Sequence, residues 1–216
     1  QYNSISGTVT LVVNRLPVTV TAEAKSKDYN ASDPVFTYTS SPSLIGADAF
    51  SGSLTRTSGE DVGTYAINQG SVALSANYII TYVSANLTIN TRAITVTAAA
   101  KNKVYGAADP ELTYSVTLGT VKVGDNFSGS LARASGEGVG NRSITQGTLT
   151  LGNNYAITFI SANLEITTKP ITVTADNLTK NTAATDPTLT YTITSGGPLI
   201  GGDGFTGALT RADPLV

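Results

Sequence analysis

"ANLTINTRAITVTAAAKNKVYGAADPELTY" spans Ala85 to Tyr114, and most of it belongs to a phrase the chain writes three times. The copies are "VTVTAEAKSKDYNASDPVFTY" from Val18, "ITVTAAAKNKVYGAADPELTY" from Ile94 and "ITVTADNLTKNTAATDPTLTY" from Ile171. A fixed period, here about 77 residues, is the signature of a repeat architecture. A second block follows each copy: "FSGSLTR" from Phe50, "FSGSLAR" from Phe127 and "FTGALTR" from Phe205. Two further blocks occur twice, "GEDVGTYAINQGSVAL" and "GEGVGNRSITQGTLTL", then "NYIITYVSANLTI" and "NYAITFISANLEI". "ISGTVTLVVNR" from Ile5 matches "ISANLEITTK" from Ile160. The frame is therefore a tail strand of a preceding unit in 1–16, full units in 17–92 and 93–169, and the front part of a third in 170–216. The chain reads as a piece of something longer.

Alternation within the blocks has period two, the mark of half-buried strands. Leu112, Tyr114, Val116 and Leu118 fall on one face; Tyr155, Ile157 and Phe159 on another; Ile94 pairs with Val96. Thr fills the opposite faces, where a β-branched side chain favours extended backbone and still meets water. Asp-Pro at Asp33-Pro34, Asp109-Pro110 and Asp186-Pro187, with Gly-rich pieces such as "SGEDVG", punctuates the strands. Roughly six to seven short strands per unit predict tandem small Ig-like antiparallel β-sandwiches. Adjoining strands of successive units are separated by only a few residues, Thr91-Arg92-Ala93 and Thr168-Lys169-Pro170. None of these is a flexible Gly/Ser linker, and Pro17 and Pro170 stiffen the joints, so units joined end to end as a rod are expected.

The 216 residues contain no Cys, His, Met or Trp, and only 13% are charged. Disulfides, Cys or His metal sites, a Cys nucleophile and a His general base are excluded. The net charge of −2 and the lack of a basic tract speak against nucleic acid as a partner. No apolar run approaches the roughly 20 residues of a membrane span.

The succession "KVYGAADPELTY", "VGDNFSGSLAR", "GEGVG", "SITQGTL", "NYAITF" and "NLEI" resembles the MBG-type tandem repeat of bacterial secreted and surface proteins. That resemblance implies an extracellular, adhesin-like, β-rich stalk, with biofilm or filament roles in its range, and brings no catalytic residues. The family's Tyr-Gly step matches Tyr105-Gly106; it is Tyr29-Asn30 in the first unit and Thr182-Ala183 in the third. The second unit has Asn141-Arg142 where the first has Thr64-Tyr65.

Several side chains able to carry chemistry recur at equivalent positions. Asp33, Asp109 and Asp186, Asp48, Asp125 and Asp203, and Glu60 and Glu137 lie at equivalent positions, where oxygen ligands would suit Ca²⁺ and turn-capping is the plainer role. Tyr38, Tyr114 and Tyr191, with Tyr78 and Tyr155, could stack sugars, but their place on apolar faces assigns them to packing. Lys25 and Lys101, with Asn86 and Asn163 and with Lys180 near the same place, raise an isopeptide crosslink, against which stands the placing of those lysines at a loop edge. "NAS" at Asn30, "NLT" at Asn86 and Asn177 and "NRS" at Asn141 match the N-glycosylation pattern, which carries little weight in a bacterial protein. The expectation is a non-enzymatic spacer with no catalytic, cofactor-binding or metal-binding residues and no cofactor. Its partners are neighbouring repeats, with cell-surface glycans or matrix proteins as the alternative. A further alternative is a filament subunit completed by β-strand addition.

Overall fold

The computed structural model describes residue 2 and residues 6–212. Ile5, on which the match of the first segment begins, and residues 213–216 of the third unit lie outside the described residues. Among the described residues every element is a strand. Grouped by spatial proximity, the chain forms two compact units, one of residues 1–95, 118–127 and 150–158, the other of 96–117, 128–149 and 159–216.

The first repeat supplies β1 (Leu16–Ala22), β2 (Lys25–Asp28), β3 (Tyr38–Ser41), β4 (Thr55–Arg56), β5 (Gly63–Asn68), β6 (Tyr78–Val83) and β7 (Ala85–Asn90). They make a three-stranded sheet in the order β3-β1-β6 and a four-stranded sheet in the order β2-β7-β5-β4. Val18, Val20 and Tyr78 anchor one buried cluster, joined by Tyr38, Phe50, Ile80 and Tyr82; Ile67, Leu87 and Ile89 are buried on the other sheet. The second repeat follows with β8 (Arg92–Ala98), β9 (Lys101–Val104), β10 (Tyr114–Leu118), β11 (Ala132–Arg133), β12 (Gly140–Thr145), β13 (Tyr155–Ile160) and β14 (Ala162–Thr167), in the same two orders. A single residue, Thr91, separates β7 from β8.

The β-sandwich expectation holds, with one refinement: each full repeat contains parallel pairing, where a wholly antiparallel sandwich was expected. β1 runs parallel to β6, from Leu16↔Tyr78 to Thr21↔Val83, and β2 runs parallel to β7, from Lys25↔Leu87 to Asp28↔Asn90. Both pairings have one cause. β1 and β2 are a single extended run broken at Glu23–Ala24, and β6 and β7 a second run broken at Ser84. Each run changes sheets at its break, and the two runs keep one register across both sheets. Short-range alternation shows that a strand exists and which face is apolar, but not the direction of its neighbour.

The "FSGSL" block owes its Gly to crowding. Gly52 has φ +77°, and a Cβ there would lie 2.1 Å from the Ser71 carbonyl oxygen; Gly129 has φ +79° and a Cβ would lie 2.1 Å from that of Thr148. Gly207, the third copy, has φ +95° but meets nothing within 4 Å, because the block that supplies Ser71 and Thr148 occurs only in the full repeats.

The third repeat shows β15 (Thr172–Ala175) and β16 (Tyr191–Ser195) as an antiparallel pair. Tyr191 and Phe205 stack edge-on at 5.2 Å. Val173 is 39% exposed where its equivalent Val96 is fully buried. One expected face is not covered: Tyr114 is half-buried, but Val116 is 36% and Leu118 70% exposed. Alternation identifies an apolar face and leaves open what lies on it.

Candidate functional site

The recurring carboxylates meet recurring cations. In the first repeat, the Lys27 ammonium lies 2.7 Å from Asp33 Oδ1 and 2.6 Å from Glu60 Oε2. Arg56 reaches Asp33 through Nε at 2.6 Å and Nη2 at 3.2 Å, and its Nη2 also pairs with Glu60. Lys27, Asp33, Arg56 and Glu60 thus close a ring of alternating charge. The ring ties together β2 and β4, the two edge strands of their sheet. Arg56 Nη1 also donates to the Thr57 and Gly59 carbonyls at 3.0 and 2.6 Å, fixing the loop that carries Glu60.

Local register explains how a lysine comes to be buried here. Lys27 lies opposite Ile89, and Ile89 lies opposite Gly63. The row therefore offers an apolar neighbour for the lysine stem and a residue without a side chain beyond it. Burial pulls the Lys27 ammonium down, and Asp33 and Glu60 more than offset it, so its pKa stands above the ordinary lysine value.

The second repeat rebuilds the ring from Lys103, Asp109, Arg133 and Glu137, with Lys103 to Asp109 at 2.6 Å. Its row is Lys103–Ile166–Gly140. In the third, Lys180 and Arg211 both reach Asp186, at 2.5 and 2.7 Å. So Asp33, Asp109, Asp186, Glu60 and Glu137 face cations, and among the described residues no group of three or more carboxylates converges as a metal site would need. Lys25 and Lys101 are the first residues of β2 and β9, at the loop edge expected and only half-buried, and Lys180 is the counterpart of Lys27 and Lys103.

A second set of equivalent residues forms a socket. Tyr155 donates to Asp125 Oδ2 at 2.6 Å, and the Lys122 amide donates to the Tyr155 hydroxyl at 2.9 Å. Tyr29, only 3% exposed, enters beside them within the same compact unit. Its hydroxyl donates to Asp125 Oδ2 at 3.0 Å and its ring meets that of Tyr155 edge-on at 5.4 Å. The Lys122 ammonium donates to the Tyr29 hydroxyl at 3.2 Å and lies 5.1 Å from the Tyr29 ring centre. The Asn154 side chain accepts from the Val62 amide and donates to Asp61, both at 2.9 Å. The Tyr155 hydroxyl holds the Asp125 carboxyl below its ordinary range. Burial, and then Asp125, raise Tyr155.

Tyr105 makes the corresponding contact in the other compact unit. Its hydroxyl bonds Asp203, which raises its pKa. Gly106 has φ +81°, and the Ile200 side-chain tip lies against its α-carbon. Asn30 holds the same left-handed backbone at φ 62°, as does Ala183 at φ 65°.

Sequence reasoning named the acids and the packed tyrosines but missed Lys27, Lys103, Arg56 and Arg133 as their partners. The signal was present, since both signs of charge recur at fixed repeat positions. The divergence at Tyr65 and Arg142 conceals a shared task. Tyr65 donates to the Asp61 carbonyl at 2.8 Å, and Arg142 Nη2 donates to that of Gly138 at 2.8 Å, so each fastens the loop before its strand. Among the described residues, no buried side-chain nitrogen or oxygen lacks a partner.

The rings predict a pH profile. Asp33 is lowered chiefly by Arg56, Glu60 by Lys27, Asp109 by Arg133, Glu137 by Lys103 and Asp186 by Lys180. Their stabilisation is fully present above about pH 4.5 and lost as pH falls through the lowered folded values. Lys27 and Lys103 are raised, so theirs is present below about pH 10 and lost as pH rises through the folded values. With no His or Cys to titrate between, the urea midpoint is expected to stay level from about pH 5.5 to 9 and to fall on both sides. A pronounced step near neutrality would refute that assignment.

A family model described as MBG domain (YGX type) matches residues 18–88 and 94–165. No curated protein matches the chain, and no solved structure does.

Proposed function

The chain belongs to the MBG domain family, YGX type, and from that premise we propose that it is a non-enzymatic spacer. In this reading it is a stalk segment of a long bacterial extracellular surface protein of adhesin-like kind, holding a distal functional region away from the cell. The observation that supports it is where the polar chemistry goes. Most of the recurring acids, cations and phenols are engaged in ties within a repeat, or in the Tyr29–Asp125 and Tyr105–Asp203 contacts. Side chains so engaged set geometry and hold no reacting group poised for a substrate. No helix among the described residues is long and apolar enough to cross a membrane.

The test is a glycan and matrix-protein array probed with the full chain, in calcium and again in EDTA. A spacer gives no reproducible binding in either condition. Binding that disappears when an exposed residue common to the repeats is changed would make the chain an adhesive module with avidity from repetition.

One observation favours a second reading, a filament subunit completed by β-strand addition. The third repeat leaves Val173, Tyr191, Phe205 and Leu209 exposed around an open cavity of about 480 Å³, and the stretch Thr8–Val13 leaves Val9, Leu11 and Val13 exposed. An uncovered strand edge templates pairing. That reading requires concentration-dependent growth in light scattering, abolished by charged residues at Leu11 and Val13.

A further inference from the structure

The socket that Tyr29 fills has a counterpart at the first repeat, and among the described residues no tyrosine fills it. Tyr78 donates to Asp48 Oδ2 at 2.7 Å and the Ile45 amide donates to the Tyr78 hydroxyl at 3.0 Å, repeating the Tyr155–Asp125–Lys122 arrangement bond for bond. The Leu16 amide donates to the Asn77 carbonyl as the Arg92 amide does to that of Asn154, both at 2.9 Å. Asn77 is the counterpart of Asn154, the residue that grips Asp61 and Val62. A cavity of about 560 Å³ lies over these groups, lined by Val13, Arg15, Ile45, Asp48, Asn77 and Tyr78. It lies wholly within the first compact unit.

We propose that this cavity is a docking socket for a Tyr-Gly loop of another repeat of the same kind. Tyrosine is implied by the filled copy: the phenol O–H of the incoming loop donates to Asp48, its ring meets the Tyr78 edge, and Asn77 takes a backbone N–H and a carboxylate from the adjacent loop. The residue after the tyrosine holds left-handed backbone in both copies, Asn30 beside Lys122 and Gly106 beside Ile200, and glycine adopts that backbone at least cost. The first socket carries Ile45, as the third carries Ile200. The Lys122 ammonium, which bonds the Tyr29 hydroxyl and faces its ring, has no equivalent there, so the hydrogen bond to Asp48 carries more of the recognition. The inference rests on the geometry around Tyr29, not on the spacer reading, and it survives or fails independently of the array.

The experiment is an NMR titration of the isotope-labelled full chain with N-acetyl-Tyr-Gly-amide, with the Phe-Gly and Tyr-Asn analogues as controls. The Tyr-Gly probe is expected to shift the Ile45 and Asp48 amides saturably, with a dissociation constant on the order of millimolar for so small a fragment. The Phe-Gly probe binds at least about tenfold more weakly, since a site built to bond a hydroxyl rejects the analogue without it. The Tyr-Asn probe binds comparably at Ile45, since Asn30 holds the same left-handed backbone in the filled socket. The Lys122 amide does not respond in the unaltered chain, but responds in Tyr29→Ala, which empties the second socket. Asp48→Ala abolishes the Ile45 response. The proposal is overturned if Ile45 shows no saturable shift, if the Phe-Gly probe binds as well, or if the Asp48→Ala chain responds unchanged.

Discussion

Leu87→Ala is expected to cost about 3 kcal/mol, and Leu11→Ala less than about 0.5 kcal/mol. The two leucines occupy the same position of the repeat phrase, Leu87 in "ANLTIN" and Leu11 in "GTVTLVVN". Leu87 is fully buried and Leu11 is 83% exposed. Leu87 sits in a central strand, paired on one side with Lys25 and on the other with Tyr65, so its removal leaves a cavity the sheet cannot close. Leu11 has water on most of its surface and loses little. Amide hydrogen exchange reads this locally: protection of the β5 and β7 amides falls by roughly two orders of magnitude in Leu87→Ala and is unchanged in Leu11→Ala. Equal losses in both variants would mean that the 8–15 segment is already covered in solution, and would remove one support of the filament reading.

Lys27→Ala is the second large effect, at about 2 kcal/mol. A fully buried ion pair broken on one side costs about 3–5 kcal/mol. Here Asp33 and Glu60 are partly exposed and both keep Arg56, so solvent and the remaining cation temper the loss. Lys27→Met keeps an apolar stem of similar length beside Ile89 and should recover about half of it. The difference between the two variants isolates the ionic share from the packing share. In a double-mutant cycle, Lys27→Met with Glu60→Gln should show coupling of about 1 kcal/mol, while Lys27→Met with Glu165→Gln shows none. Exchange protection at β2 and β7 again gives the readout. A Met variant as stable as the parent would reduce the ring to a geometric ornament and reassign its conservation of place to the turn it fastens.

The fold was legible where it depended on neighbours in sequence. Alternation placed Val96 and Tyr155 on buried faces, and the six to seven short strands expected per unit are seven in each full repeat. The Tyr-Gly step and its Asn substitute both hold left-handed backbone, which Gly and Asn adopt more readily than other residues. What stayed hidden depended on partners far along the chain. Lys27 meets Glu60 from 33 positions away and Tyr29 meets Asp125 from 96. Nothing local distinguishes a carboxylate that caps a turn from one that neutralises a lysine or accepts a tyrosine hydroxyl. The parallel course of β1 with β6 is hidden for the same reason, because a strand's own residues do not record the direction of its neighbour. The candidate site was therefore half visible: its acids and phenols stood out as recurring letters, while the cations that complete it had no role assigned.

The two sheet-switching runs of the first repeat decide how it answers traction. The chain enters along β1 and leaves along β7, and these runs lie side by side and parallel. Pulled from its two ends, such a pair is loaded in shear: the rungs of both ladders, from Leu16↔Tyr78 to Asp28↔Asn90, resist together instead of peeling one at a time. Yielding then demands that many hydrogen bonds break at once. A repeat wired this way holds its length under drag until a threshold and gives way abruptly beyond it, behaving as a fuse rather than a spring.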